Sequence, residues 1–235
     1  MIVKRLLGSA SGWQFAARPG YLSFALFAVG LCLCLSFWQW QRAGSAEARY
    51  QQFVQQQSQP ATHWHGGQPA PYEALTVSGQ LQQLFLLDNQ IRERIVGSHV
   101  LGLLATDYGP LLVKLGWQAD AAPRPSLNDF ASTMTVSGLA VYPEVGLMLA
   151  PAEDDPAWPG VMQQIDIPLL RQQLGAKLAD FMIVVNTPDT GLATVHAAPD
   201  NKSAMHTGYA LQWLLIAVAC LTVFCFACRG EKDDP

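Results

Sequence analysis

Two long stretches without a single charge bracket this chain, and they constrain its fold more than any other feature. The first runs for 20 residues from Tyr21 to Trp40, the second for 22 from Thr207 to Cys228. At about 1.5 Å of rise per helical residue, each covers about 30 Å of hydrocarbon. A segment in lipid must satisfy its own backbone hydrogen bonds, so both are expected to be helices. Two spans place both termini on one side. Lys4, Arg5 and Arg18 precede the first span, and no acid appears before Glu47. The positive-inside rule therefore makes the termini cytoplasmic. Arg229 after the second span agrees, although Glu231, Asp233 and Asp234 dilute the tail.

A cleaved signal peptide is the competing reading of the first span. Its apolar stretch is too long, and Trp38, Trp40, Gln41 and Arg42 stand where a small-residue cleavage site belongs. An uncleaved anchor puts Trp38 and Trp40 at the outer interface, Trp13 and Tyr21 at the inner one. The expected division is a cytoplasmic N-terminus (1–20), a first membrane helix (21–40), a periplasmic α+β domain (41–206), a second membrane helix (207–228) and a cytoplasmic tail (229–235).

Between the spans, nine Lys and Arg stand against fifteen Asp and Glu, a net charge of −6. Such a domain has no electrostatic footprint for nucleic acid. All five cysteines (Cys32, Cys34, Cys220, Cys225 and Cys228) lie inside the spans, so the outer domain folds without disulfides. Cys32-x-Cys34 and Cys225-x-x-Cys228 fall at depths roughly 12 Å or more apart along the membrane normal. They read as small apolar fillers rather than a metal site.

The outer domain reads as mainly β. Arg42 to about Gln57 suits a short helix and 58–72 a linker. Strands are expected at Ala74–Gln80, Leu84–Asp88, Ile95–Ala105, Leu111–Trp117, Thr133–Val141 and Phe181–Val185, with a Tyr108-Gly109-Pro110 turn. Ile167–Leu174 has Pro168 in its first turn and Gly175 as a stop, hence a short helix. Glu153–Pro159 reads as an acidic loop. Leu75-Thr76-Val77-Ser78-Gly79 is echoed by Met134-Thr135-Val136-Ser137-Gly138, and strands ending in a glycine bend suit a small barrel or sandwich.

Motifs for catalysis are missing from the sequence: there is no Gly-x-Ser-x-Gly, His-Glu-x-x-His or Walker lysine. His63-x-His65 lies in the linker without a third ligand and reads as solvated loop. His99 sits in an apolar strand pattern, as a satisfied core histidine. Asn89 to Arg94 reads as a charged hairpin tip, or as an arginine pair facing a partner or a propionate. Trp117 reads as a core anchor.

The membrane rim remains. His206, Tyr209, Ala210 and Trp213 recur at i, i+3, i+4 and i+7, one helical stripe. Ala210 would leave a shallow place on it, and Gly208 would let a neighbour approach. Neutral imidazole is a good iron ligand, and a flat apolar group would suit the surface. Interfacial snorkelling without a partner accounts for the same residues. Arg42 reaches the outer rim from the first span, either to pair with an anion or to snorkel to lipid phosphates.

Trp38-Gln39-x-x-Arg42 resembles the Trp-Gln-x-x-Arg signature of the surfeit locus 1 family, membrane proteins of cytochrome c oxidase assembly. Val77-x-Gly79 and Val136-x-Gly138 resemble its paired Val-x-Gly elements, and Leu112-Val113-Lys114-Leu115-Gly116-Trp117 its Leu-Val-Asn-Arg-Gly-Trp strand. His206-x-Gly208-Tyr209-Ala210-Leu211-Gln212-Trp213 is similar to its second-span signature. The resemblance runs from about residue 25 to 220. It departs at Lys114 and Leu115, where the family has asparagine and arginine.

By this resemblance the chain is identified as a divergent bacterial member: a multi-pass protein of the cytoplasmic (inner) membrane and no enzyme. The short N-terminus leading straight to the span favours the bacterial membrane over the mitochondrial one. The resemblance implies a role in delivering haem a to, or maturing, oxidase subunit I, with haem a synthase as a further partner. His206 carries over as a transient ligand of haem a iron, with Tyr209 and Trp213 lining the macrocycle. Arg42 is added from its place at the rim as a propionate partner. The alternative is a structural membrane chaperone for an oxidase subunit, without haem.

Overall fold

The computed structural model describes residues 19–146, 160–175, 177–186 and 191–228. The flanking charges up to Arg18, Trp13, the loop Glu153–Pro159 and the tail from Arg229 lie outside the described residues. In chain order the elements are α1 (Pro19–Gln57), β1 (Thr62–His63), β2 (Ala74–Leu87), β3 (Gly97–Thr106), β4 (Gly109–Ala119), a 3-10 turn (Leu127–Asp129), β5 (Thr133–Val141), β6 (Gly160–Met162), α2 (Ile167–Leu174), β7 (Met182–Val185) and α3 (Ser203–Ala227). They form two compact units. The chain up to Arg49 and the chain from Asp200 make one; Tyr50–Pro199 makes the other.

The first unit is a helix pair. Both α1 and α3 are long and apolar enough to cross a membrane, with mean hydropathies of 2.0 and 2.3 over their most apolar windows. The apolar span and the helix expected from Arg42 to Gln57 are one uninterrupted element. Ala43, Ala46, Glu47, Ala48 and Arg49 are good helix formers, and the single Gly44 costs only about 1 kcal/mol. α3 begins at Ser203, four residues before its apolar stretch.

Each helix has one seam of shielded residues. On α1 it is Ala25, Val29, Cys32, Ser36, Gln39, Ala43 and Ala46, with Ala28, Gly30, Leu35 and Glu47 partly shielded beside it; on α3 it is Ser203, His206, Ala210, Trp213, Ala217, Cys220 and Phe224. Steps of three and four alternate along both, the spacing of coiled-coil packing. Small residues dominate, as close helix approach in lipid requires. Cys32, Cys220 and Cys228 are among the shielded residues, while Cys34 and Cys225 are exposed.

The second unit is a mixed sheet whose pairings return to their start. β2 pairs with β5 through Ala74–Gln80 and with β3 through Gln80–Leu87. β3 pairs with β4, β4 with β7 in parallel, and β7 with β5. β1 and β6 add to β2 in parallel. The two strands expected at 74–80 and 84–88 are thus one strand, irregular between Leu81 and Gln83. A bulge bends a strand without ending it, so one strand serves two neighbours.

Alternate residues of all five ring strands build one core, including Leu75, Val77, Leu84, Val100, Val113, Leu115, Val136 and Ile183. Phe181, 1% exposed, joins it, with Trp64 edge-on at 5.5 Å between ring centroids. The opposite face of β2, β3, β4 and β7 builds a second core beneath α2, with Phe85, Leu101, Leu112, Ile167 and Leu170. α2 has the expected bounds. The Asp166 side chain accepts from Leu169 N–H at 3.0 Å, and Gly175 stops the helix at φ 60°.

The echoed segments are direct neighbours. Val77 stands opposite Val136, Thr76 opposite Ser137 and Ser78 opposite Thr135. Both polar pairs share a hydrogen bond of 2.8 Å between hydroxyls. The two valines point into the core. The copies pair antiparallel about a local two-fold centred on them.

Candidate functional site

The sequence places the candidate site where α1 leaves and α3 enters the apolar span, and the structure ties those two ends together by side chains. Ser36 Oγ donates to the Ala210 carbonyl at 2.8 Å. One turn further on, Gln39 Oε1 lies 2.8 Å from His206 Nδ1. Further still, Glu47 Oε2 accepts from Ser203 Oγ at 2.9 Å and from Asn201 Nδ2 at 3.2 Å. The rungs rise along α1 as they descend α3, which fixes the pair as antiparallel. Glu47 also sets a carboxylate at the N-terminus of α3, where the helix dipole favours negative charge.

Each member of Trp38-Gln39-x-x-Arg42 has a place in this geometry. Gln39 faces α3 and meets His206. Arg42, one turn after Trp38, lies over its ring at 5.7 Å from the centroid, a cation–π contact. Arg42 is exposed and its seat is Trp38.

The expected stripe on α3 is split. His206 and Trp213 are half-buried and Ala210 is 3% exposed. Tyr209, 45% exposed, stands off the seam. Ala210 therefore leaves no shallow place for a flat ligand, because Ser36 of α1 occupies that approach. Gly208 is not where a neighbour comes close either: a Cβ there would meet nothing within 4 Å. The open surface beside His206 is the flank that carries Tyr209. His206 Nε2 makes no hydrogen bond with the described residues.

Gln39 is the site residue that reasoning from the sequence left unassigned. Its signal was present: it is the one amide on a seam otherwise made of small residues, at a three-four step from Ser36 and Ala43.

In the outer domain, the arginines of the tip are not a free pair. Arg92 and Ile95 bridge around Glu93-Arg94, both at positive φ (50° and 67°), a tight two-residue hairpin. Arg92 donates to the Thr194 carbonyl at 2.9 Å and lies over Trp117 at 6.0 Å. Ile95 and Val96, expected in a strand, are exposed at this tip, and β3 starts at Gly97. Trp117 donates from Nε1 to the Gln90 carbonyl at 2.7 Å.

His99 is not a satisfied core histidine: its Nδ1 is buried with no hydrogen-bond partner. On the same sheet face, Lys114 stands opposite Leu101, two residues from His99 along β3. Burial, with the charge of Lys114 adding to it, pushes the His99 pKa down to about 4. Burial alone pushes Lys114 down to about 8. Leu115, where the resembled pattern has arginine, is 1% exposed in the ring core. A cation there would lie among leucines and valines. The strand instead carries its cation at Lys114, on the opposite face.

His63 lies in β1 and His65 sits 3.4 Å from the Tyr108 hydroxyl, both beside a shallow open pocket. Among the described residues no three metal-ligating side chains of His, Cys, Asp or Glu come together.

The model of the SURF1 family matches residues 26–218. No curated protein matches the chain.

Proposed function

The chain belongs to the SURF1 family, which is known in cytochrome c oxidase assembly, and from that premise we propose that it is a haem-handling assembly factor for the oxidase. The family is one of assembly factors, not catalysts, and the two apolar helices make the protein membrane-anchored. In this proposal the chain is a multi-pass protein of the bacterial inner membrane. Its domain, a small barrel closed by the ring of pairings, lies in the periplasm and both termini are cytoplasmic. The partners are oxidase subunit I and haem a synthase.

The observation that carries the proposal is an imidazole at the mouth of an apolar helix, held by one nitrogen and open at the other. His206 Nδ1 is engaged by Gln39, and Nε2 is unengaged among the described residues. A single neutral imidazole nitrogen beside an exposed aromatic flank suits a haem iron. Haem a, when bound, would supply the redox iron that subunit I requires. His206 would hold that iron, and Tyr209 and Trp213 would border the ring. Arg42, seated on Trp38, would offer its charge to a propionate. Such a carrier transfers and releases, so its hold must be moderate: tight complexes are slow to dissociate.

A second function draws on the same contact. As a tie between α1 and α3, the Gln39–His206 bond suits a structural chaperone that holds a partner helix and needs no haem.

One experiment separates them. The protein is co-expressed with the haem a pathway and purified, and visible spectra of wild type and His206→Ala are compared. A Soret band that disappears in the variant supports the carrier. No band in wild type overturns it, and an unchanged band in the variant moves the ligand elsewhere. The chaperone predicts that oxidase subunits co-purify with both proteins.

A further inference from the structure

We infer that Gln39 is the positioning residue of His206: it holds the imidazole as the Nδ1–H tautomer and so keeps the Nε2 lone pair open to a metal. The inference rests on the carrier function for its ligand half, and on the helix pair alone for its tautomer half.

A neutral imidazole has one N–H and one lone pair, and the partner of one nitrogen decides the role of the other. Gln39 presents Oε1 to Nδ1 at 2.8 Å. An amide oxygen only accepts, so Nδ1 carries the proton and Nε2 the lone pair. The opposite amide orientation would make Gln39 donate to Nδ1, put the proton on Nε2 and close that nitrogen to iron.

Other side-chain contacts on both sides of the pair hold α1 against α3. Gln39 lies on the α1 seam, one turn from Ser36, whose hydroxyl is bonded to the Ala210 carbonyl. Eight residues on, Glu47 grips Ser203 and Asn201. Contacts on both sides set the register of α1 against α3 without using the His206 ring. Gln39 can therefore orient the ring instead of holding the helices together.

Metal-bound histidines generally donate their second ring N–H to an oxygen acceptor, which fixes the ring and raises its basicity. Here the acceptor comes from the other membrane helix. The ligand and its orienting group are separated by a whole domain in sequence, and meet only when α1 and α3 pair. Haem competence is thereby coupled to correct helix pairing.

The test uses the full-length chain in lipid nanodiscs, labelled with 15N-histidine, as wild type, Gln39→Leu and Gln39→Glu. The 15N shifts of His206, assigned by loss in His206→Ala, read the tautomer without haem. The expected result is Nδ1–H in wild type, a tautomer mixture in Gln39→Leu and Nδ1–H retained in Gln39→Glu, whose carboxylate accepts the same bond. An Nε2–H wild type, or no change in Gln39→Leu, overturns the inference. Titration with haemin then reads the ligand half. Gln39→Leu should bind about 10- to 100-fold more weakly, and Gln39→Glu close to wild type. Equal affinity of Gln39→Leu and wild type overturns that half. Wild type that binds no haemin overturns the carrier function and the ligand half with it, while the tautomer shifts still decide what Gln39 does. Thermal melts of all three proteins report whether the leucine variant has lost the helix pair instead.

Discussion

Replacing Lys114 by methionine should stabilise the protein, although most substitutions in a folded domain do the reverse. Lys114 lies on an apolar sheet face with Leu101 opposite and Val184 beside it on β7. It makes no ion pair with the described residues, and His99 nearby offers no negative charge. Its pKa falls from 10.5 to about 8 by burial. At about 1.4 kcal/mol per pH unit, the folded state holds this ammonium at a cost of about 3 kcal/mol at pH 7. Water reaching the half-buried end takes part of that back, leaving a stabilisation of about 1–2 kcal/mol for Lys114→Met. The lysine stem is replaced by a chain of similar length, so no cavity opens. The pH dependence gives a second signature. Between pH 8 and 10.5 the unfolded chain holds a proton that the folded one has released, so wild-type stability rises with pH across that window. Lys114→Met should flatten the rise. The assay is urea unfolding of the full-length protein in detergent, followed by tryptophan fluorescence from pH 7 to 10.5. A variant less stable than wild type at pH 7, or a wild type flat from pH 8 to 10.5, refutes the argument.

Three more outcomes follow from the same geometry. On the acid side, the unfolded chain takes a proton at the ordinary histidine value that folded His99 refuses until about pH 4. Stability should therefore fall as pH drops from 6.5 toward 4, and His99→Leu should blunt that fall in urea melts. Gly138→Ala would drive a Cβ into the Val184 carbonyl of β7 and should cost about 3 kcal/mol; Gly44→Ala, with open space around it, should gain about 1 kcal/mol in the same melts. Under the proposed carrier function, Ala210→Leu should wedge α1 from α3 and weaken haemin binding at least as much as Gln39→Leu, whereas Ala219→Leu on the exposed face should leave the titration unchanged.

Where local chemistry decides, the sequence was a sufficient guide. α2 is bounded by Asp166 and Gly175, a cap and a stop, and β5 covers the run Thr133–Val141; both fall where their residues place them. Where partners decide, it was not. β1 and β6 are two and three residues long and exist only because β2 offers them an edge. Gln82 and Gln83 look like a break between two strands, but a bulge accommodates them. The apolar pattern of Ile95 and Val96 suits a strand, yet the turn at Glu93-Arg94 places them at an exposed tip. At the rim, His206 and the Trp38–Arg42 motif could be read directly. What could not be read is that Gln39 meets His206, because the two lie 167 residues apart. Nor could it be read that the shielded side of Ala210 faces α1 instead of a ligand.

The echoed segments sort the family-like motifs by what they do. Val77 and Val136 fill the ring core, and the hydroxyls of Thr76, Ser78, Thr135 and Ser137 zip the outer face of the β2–β5 pair. Each copy ends in a glycine at the place where a further strand crosses. A Cβ on Gly79 would lie 2.7 Å from the Ala105 carbonyl of β3, and one on Gly138 would overlap the Val184 carbonyl of β7. The Thr-Val-Ser-Gly phrase common to both copies thus closes the ring on both sides of its local two-fold. Both Val-x-Gly elements are accounted for by sheet closure, and Gly116 likewise by the close approach of Leu192 to β4. None of them leaves a polar group unspent. The motifs at the helix ends differ: Trp38, Gln39, Arg42, His206 and Tyr209 include exposed aromatic and basic groups and an imidazole nitrogen that the helix pair itself does not use. Sheet closure thus explains both Val-x-Gly elements and Gly116, but neither the buried Lys114 of the β4 motif nor the exposed groups at the ends of α1 and α3.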